Sequence, residues 1–97
     1  MPTKIIGLIR LKDQTAFEIY RSQVGATVER YNGTVVARGC CDKLYWNELA
    51  CDNFNAFVEL HFPTPADADH WANSPEYQAI VSVRRHAMDL TLFRIND

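Results

Sequence analysis

The run from Trp71 to Asp89 constrains this chain most, because it leaves one helix, starts another and delivers the chain to an apolar strand. Just upstream, Thr64-Pro65-Ala66-Asp67 places a capping hydroxyl, a proline at the first helical position and an acid in the first turn. Asn73-Ser74-Pro75-Glu76 repeats the device. The second helical region is therefore expected to break near Ser74 and continue through Arg85, with residues 90–95 as the last strand. A helix that feeds straight into a strand must pack on a sheet. The remaining strands then decide the architecture.

Residues 4–11 are short and rich in β-branched side chains, the pattern of a strand. Asp13 follows as a helix cap, and Phe17, Tyr20, Val24, Val28 and Tyr31 recur at three- and four-residue steps, so they share one buried stripe. Asn32-Gly33 stops that helix, with glycine expected in the left-handed conformation, and residues 34–38 resume as a second strand. The stretch 39–55 is irregular, with room for a short extra strand at 44–46. In residues 56–62, Ala56, Val58, Leu60 and Phe62 face one way and Phe57, Glu59 and His61 the other. The order β-α-β-β-α-β predicts an α+β, ferredoxin-like fold: a four-stranded antiparallel sheet with both helices on one face.

A chain of 97 residues, 47% hydrophobic, buries one core, so residues 1–97 are expected to form a single domain. A net charge of −2 offers no basic footprint for nucleic acid. No apolar run approaches the roughly 20 residues of a membrane span, and Met1-Pro-Thr-Lys leads into a β-like segment rather than a signal-peptide core. Cys40, Cys41 and Cys51 are odd in number and two are adjacent, which argues against a disulfide framework. A cytoplasmic protein is the expectation. Cys40-Cys41 with Cys51 and His61 lacks the closely spaced pairs of a zinc site, so no metal is expected, and nothing in the sequence calls for a cofactor.

Helices on one face leave the other bare. Ile5, Ile9 and Leu11 serve the helix side of the first strand, while Ile6 and Leu8 point away from it with Phe57. Exposing such groups costs roughly 25 cal/mol per Å², so a homodimer pairing its sheets through this bare face is expected.

Several motifs now carry a resemblance. The opening strand before Asp13, the Tyr31-Asn32-Gly33 stop, Arg38-Gly39, Phe62-Pro63, Trp71 with Ser74-Pro75-Glu76-Tyr77-Gln78-Ala79, and Arg84-Arg85 resemble the domain-of-unknown-function 1330 (DUF1330) family over all but the 39–55 stretch. The resemblance implies the dimeric α+β barrel fold, whose superfamily includes cofactor-independent monooxygenases acting on polycyclic aromatics, isomerases and haem-binding enzymes. The family itself has no agreed activity. Its members often carry a carboxylate in the first strand and another just before Phe-Pro, where this chain has Leu8 or Arg10, and His61.

Two sets of residues carry candidate chemistry. Glu59 and His61 share a strand face, and with Arg38 and Arg10 they are expected to converge inside a dimer barrel, as a catalytic base near neutral pH or as a satisfied polar network. Tyr77 and Arg84, seven residues apart, share a helical face, where they and Trp71, with Tyr20, either line a pocket or pack the core. The first functional expectation is a dimer binding a small aromatic or anionic metabolite between helices and sheet, through Arg38, Trp71, Tyr77 and Arg84. The alternative is a cofactor-independent monooxygenase- or isomerase-like enzyme with Glu59 or His61 as base and Arg38, Arg84 or Tyr77 stabilising an enolate-like anion. That alternative requires these groups to meet in one cavity. A purely structural dimer would lack a substantial pocket.

Overall fold

A computed structural model describes residues 2–96. Strand β1 (Thr3–Leu11) leads to helix α1 (Gln14–Arg30), then β2 (Thr34–Cys40) and β3 (Ala56–Phe62). The second helical region consists of α2 (Pro65–Ala72), α3 (Pro75–Gln78) and α4 (Val81–Ala87), and it runs into β4 (Met88–Ile95). The four strands form one sheet in the order β2-β3-β1-β4 with every neighbouring pair antiparallel. This is the ferredoxin-like α+β fold, in which β3 lies between β1 and β2 of a split β-α-β unit.

Local chemistry sets the helix boundaries. The Asp13 carboxylate accepts the Ala16 amide at 2.8 Å, Thr64 Oγ1 accepts from Asp67 and Ser74 Oγ from Tyr77, both at 3.1 Å, each satisfying an orphan donor of a first helical turn. α1 ends in a Schellman arrangement, with the Gly33 amide on the Val28 carbonyl at 2.9 Å and the Asn32 amide on that of Glu29 at 3.0 Å. The left-handed residue is Asn32, at φ 68, rather than Gly33. Asparagine tolerates that conformation. Gly33 is required for a different reason: a Cβ there would stand 2.5 Å from the Phe62 ring and 2.7 Å from Val28.

Two further expectations change. The second helical region breaks at Ala79-Ile80 as well as at Ser74, because Ile80 turns into the core with no capping side chain. Residues 44–46 form no strand. Paired hydrogen bonds between Asn47 and Cys51 close a turn there, with Ala50 at φ 56, and they leave Tyr45 and Trp46 75% and 79% exposed.

The core lies between the helices and one sheet face. Trp71, Phe62 and Val28 are its largest fully buried side chains, with the Trp71 ring 5.5 Å from that of Phe62. Ile5 and Ile9 of β1 join it with Leu60 of β3, whereas Ile6, Leu8 and Phe57 lie on the opposite face. That second face has no helix over it. Phe93 (40% exposed) and Ile95 extend its apolar surface onto β4. No helix among the described residues is long and apolar enough to cross a membrane.

Candidate functional site

The space between α1 and the sheet is incompletely filled. A cavity of about 310 Å³ remains there, at the lower end of the roughly 300–1,000 Å³ typical of small-molecule sites. Phe17, Tyr20, Arg21 and Val24 line it from one stripe of α1, as the helical period dictates. The sheet contributes a mainly aliphatic floor, including Ile9, Ala56, Val58, Leu60, Leu90 and Leu92, and the rings of Trp71 and Tyr77 stand against it.

Polar groups concentrate at one end. The Tyr20 and Tyr77 hydroxyls are 2.9 Å apart, and Arg84 Nη1 donates to the Tyr77 hydroxyl at 2.9 Å. The two phenol rings meet edge to face, and the Tyr77 ring lies 4.5 Å from that of Trp71. Burial, and then the neighbouring Tyr77, push the Tyr20 hydroxyl above the ordinary phenol range, against the opposing pull of the Arg84 and Arg38 charges. Tyr20 therefore remains a neutral donor and acceptor at any working pH. Trp71 is a wall with its polar atom already satisfied. Its indole N–H donates to Thr27 Oγ1 at 3.1 Å, and Thr27 in turn donates to the Val24 carbonyl at 2.7 Å.

Arg21 and Arg38 are exposed residues on the cavity lining, so they stand where it meets solvent. Neither has a salt-bridge partner among the described residues. Cys40 lines the same edge as a free thiol, and Cys41 and Cys51 are also unpaired. No cluster of three or more His, Cys, Asp or Glu side chains among the described residues is placed to hold a metal ion.

The sequence-derived candidates divide between the two sheet faces. Arg38, Trp71 and Tyr77 line the cavity, and Arg84 braces Tyr77 from behind. Glu59 and His61 lie on the bare face, where Glu59 Oε2 and His61 Nε2 are 2.6 Å apart. Arg10 shares that face but is held by Asp89 at 2.6 Å, and the Leu8–Phe57 pair intervenes between it and the Ile6–Glu59 pair. Within one chain the expected convergence therefore fails for Arg38, which stands on the helix side of the sheet, while Arg10 stays on the bare face engaged by Asp89.

A β-bulge explains the failure for Arg38. β2 pairs Val35 with Leu60 and then Ala37 with Glu59, so one extra residue enters the strand. Simple alternation from Thr34 sends Arg38 to the bare face with His61; the inserted residue turns it to the helix side, opposite Val58. Arg21 was not legible as a site residue. Its only signal is its place on the flank of the stripe that holds Phe17, Tyr20 and Val24.

Comparison with known proteins agrees with this architecture. A family model described as "Domain of unknown function (DUF1330)" matches residues 4–96. No curated protein matches at a significant level. A protein of unknown function from Rhodopseudomonas palustris is 21% identical with a TM-score of 0.79, over 99% of this chain and 82% of that one. SnoaB, a cofactor-independent oxygenase from Streptomyces nogalater, is 11% identical with a TM-score of 0.69, over 99% of this chain and 92% of that one. A dimeric ferredoxin-like protein of unknown function from Thermobifida fusca is 15% identical with a TM-score of 0.56, over 100% of this chain and 92% of that one. At such identities the likeness establishes the fold alone.

Proposed function

Because the chain belongs to the DUF1330 family, a membership that carries no activity, we propose its function from the cavity: it binds a small metabolite with a flat apolar body and an anionic group. The observation that carries this reading is an apolar, aromatic-walled space of about 310 Å³ with two guanidinium groups at its edge that have no carboxylate partner among the described residues. Arg38, helped by Arg21, pairs with the anionic group, since a planar guanidinium matches a carboxylate with two parallel hydrogen bonds. Trp71 and Tyr77 flank the flat body, and Arg84 fixes the Tyr77 hydroxyl.

The fold of SnoaB raises the enzyme alternative, but none of the described residues lining the cavity carries a carboxylate or an imidazole. Among the described residues the Asp13–His86 pair stands outside that lining, and the Glu59–His61 pair is on the far side of the sheet. We therefore read the cavity as a binding site and the latter pair as a polar network of an assembly surface. A thermal-shift screen with aromatic carboxylates tests the reading, because a ligand that binds only the folded chain raises its melting temperature. Arg38→Ala is expected to weaken carboxylate hits by about tenfold, the loss of one charge-assisted contact. An unchanged affinity would remove Arg38 from the site.

We further propose that residues 1–97 act as one domain that pairs through the bare face into a dimeric α+β barrel. Ile6, Leu8 and Phe57 with the exposed Phe93, Ile95 and Val36 supply the apolar surface, and the dimeric neighbour from Thermobifida fusca supports the arrangement. Light scattering is expected to report about twice the 11.1 kDa chain mass. The three unpaired cysteines fit a reducing compartment, which supports a cytoplasmic location.

A further inference from the structure

The buried end of the cavity holds one hydroxyl proton too many for its acceptors. Arginine only donates, so the Arg84 contact engages a lone pair of Tyr77 and consumes neither phenolic proton. The Tyr20–Tyr77 contact consumes one of the two, whichever residue donates it. Each phenolic oxygen has a partner, yet the second proton has no acceptor among the described residues. Tyr20 and Tyr77 are only 9% and 3% exposed, so bulk water does not reach that proton freely. The surrounding lining is aliphatic and aromatic. A group that enters there must accept that hydrogen bond or lose affinity.

We infer that the ligand carries a hydrogen-bond acceptor oxygen of the carbonyl type on its apolar body and inserts it at the Tyr20–Tyr77 end. This deepens the proposed function and rests on the cavity being a ligand site. The Arg84 guanidinium polarises Tyr77 and, through it, Tyr20, so the free proton meets developing negative charge more strongly than an isolated phenol does. Burial keeps Tyr20 protonated, and the end of the cavity therefore offers a donor over the whole working range of pH. A ligand presenting its own N–H or O–H there would set two donors against each other. The site thus selects by polarity at the phenol pair and by charge at the solvent-facing edge, where Arg21 and Arg38 stand.

Indane, indanone and indole share one bicyclic frame and differ at this point: no polar group, an acceptor, and a donor. Calorimetric titration of the full chain with each is the test. An indifferent apolar cavity ranks indane first, because indane leaves water most readily. The inference expects indanone to bind at least about tenfold tighter than either, a difference of about 1.4 kcal/mol. One phenolic proton stays uncommitted in Tyr20→Phe or Tyr77→Phe alone, so each single variant keeps a preference for indanone. The Tyr20→Phe/Tyr77→Phe double variant loses it while still binding indane. Indane or indole binding the unaltered chain as tightly as indanone would overturn the inference and leave the cavity reading standing. So would a preference that survives in the double variant. If none of the three binds, the inference falls, and the cavity reading is decided by the aromatic carboxylates, which carry the anionic group that Arg38 and Arg21 receive. Should the double variant not fold, the ranking on the unaltered chain decides alone.

Discussion

Ala56 is where an occupied site can be told apart from a poorly packed core. It lies on β3, buried, with its side chain on the cavity floor. Ala56→Ile adds three carbons to that space and suits a strand, where β-branched residues pack well. At roughly 0.8 kcal/mol per buried CH₂ the ceiling on stabilisation is roughly 2.4 kcal/mol. The cavity opens to solvent near Arg38, so part of the new surface stays wet, and cavity-filling substitutions commonly return about 0.5–2 kcal/mol. We expect about 1 kcal/mol in urea denaturation, which for a domain of this size is about 4–8 °C in Tm. The same side chain occupies the ligand's space, so indanone affinity is expected to fall by at least about tenfold. The signs are opposite, stability up and binding down, and a simple packing defect or a remote site cannot produce both. A loss of about 1 kcal/mol or more on substitution would mean overpacking and no usable volume beside Ala56. Unchanged affinity in a stabilised variant would place the ligand elsewhere.

Three further outcomes follow from particular contacts. Leu8→Asp puts a charge in the middle of the bare face beside Phe57, so light scattering at micromolar concentration should report single chains where the unaltered protein reports pairs. Gly33→Ala forces a methyl group against the fully buried Phe62 and Val28, and chemical denaturation should register a loss of about 1–3 kcal/mol. The Ala16 amide holds the Asp13 carboxyl below the ordinary range, the Tyr31 hydroxyl does so for Glu76, and Arg10 for Asp89. The unfolded chain therefore binds more protons in acid: this stabilisation is present above about pH 4–5 and disappears as pH falls through the folded-state values. Thermal melts should show Tm declining from about pH 5 to pH 3, and Glu76→Gln should flatten part of that slope. An identical slope in the variant would deny Glu76 its share.

What the sequence made legible is what a few neighbouring residues decide. Asp13, Thr64 and Ser74 each cap a helix three residues or fewer from the amide they accept, so their roles are written locally. The alternation in β3 is equally local, and it correctly separates Leu60 from Glu59 and His61. The Tyr20–Tyr77 contact spans 57 residues and three elements, and no spacing rule reports it. Tyr77 and Arg84 are an intermediate case. Their seven-residue spacing suggested one helical face, yet they sit on separate helices, α3 and α4, and meet because the chain turns at Ile80.

The bulge in β2 is the step with the largest functional consequence. An inserted residue leaves no mark in composition or periodicity, but it moves Arg38 from the face of Glu59 and His61 to the face of Tyr20 and Tyr77. Without it, a guanidinium, a carboxylate and an imidazole would share the bare face, and the phenols would line a cavity without that guanidinium. With it, the acid and imidazole belong to the surface proposed for assembly, and Arg38 joins the phenols at the cavity proposed for ligand. The two functions then rest on opposite sides of one sheet and should respond separately. Leu8→Asp is expected to change mass while indanone still binds the single chain, and Ala56→Ile is expected to weaken binding by at least about tenfold while mass is unchanged. Coupling in both variants would mean that the cavity is completed only in the pair, with the partner's chain supplying part of its wall.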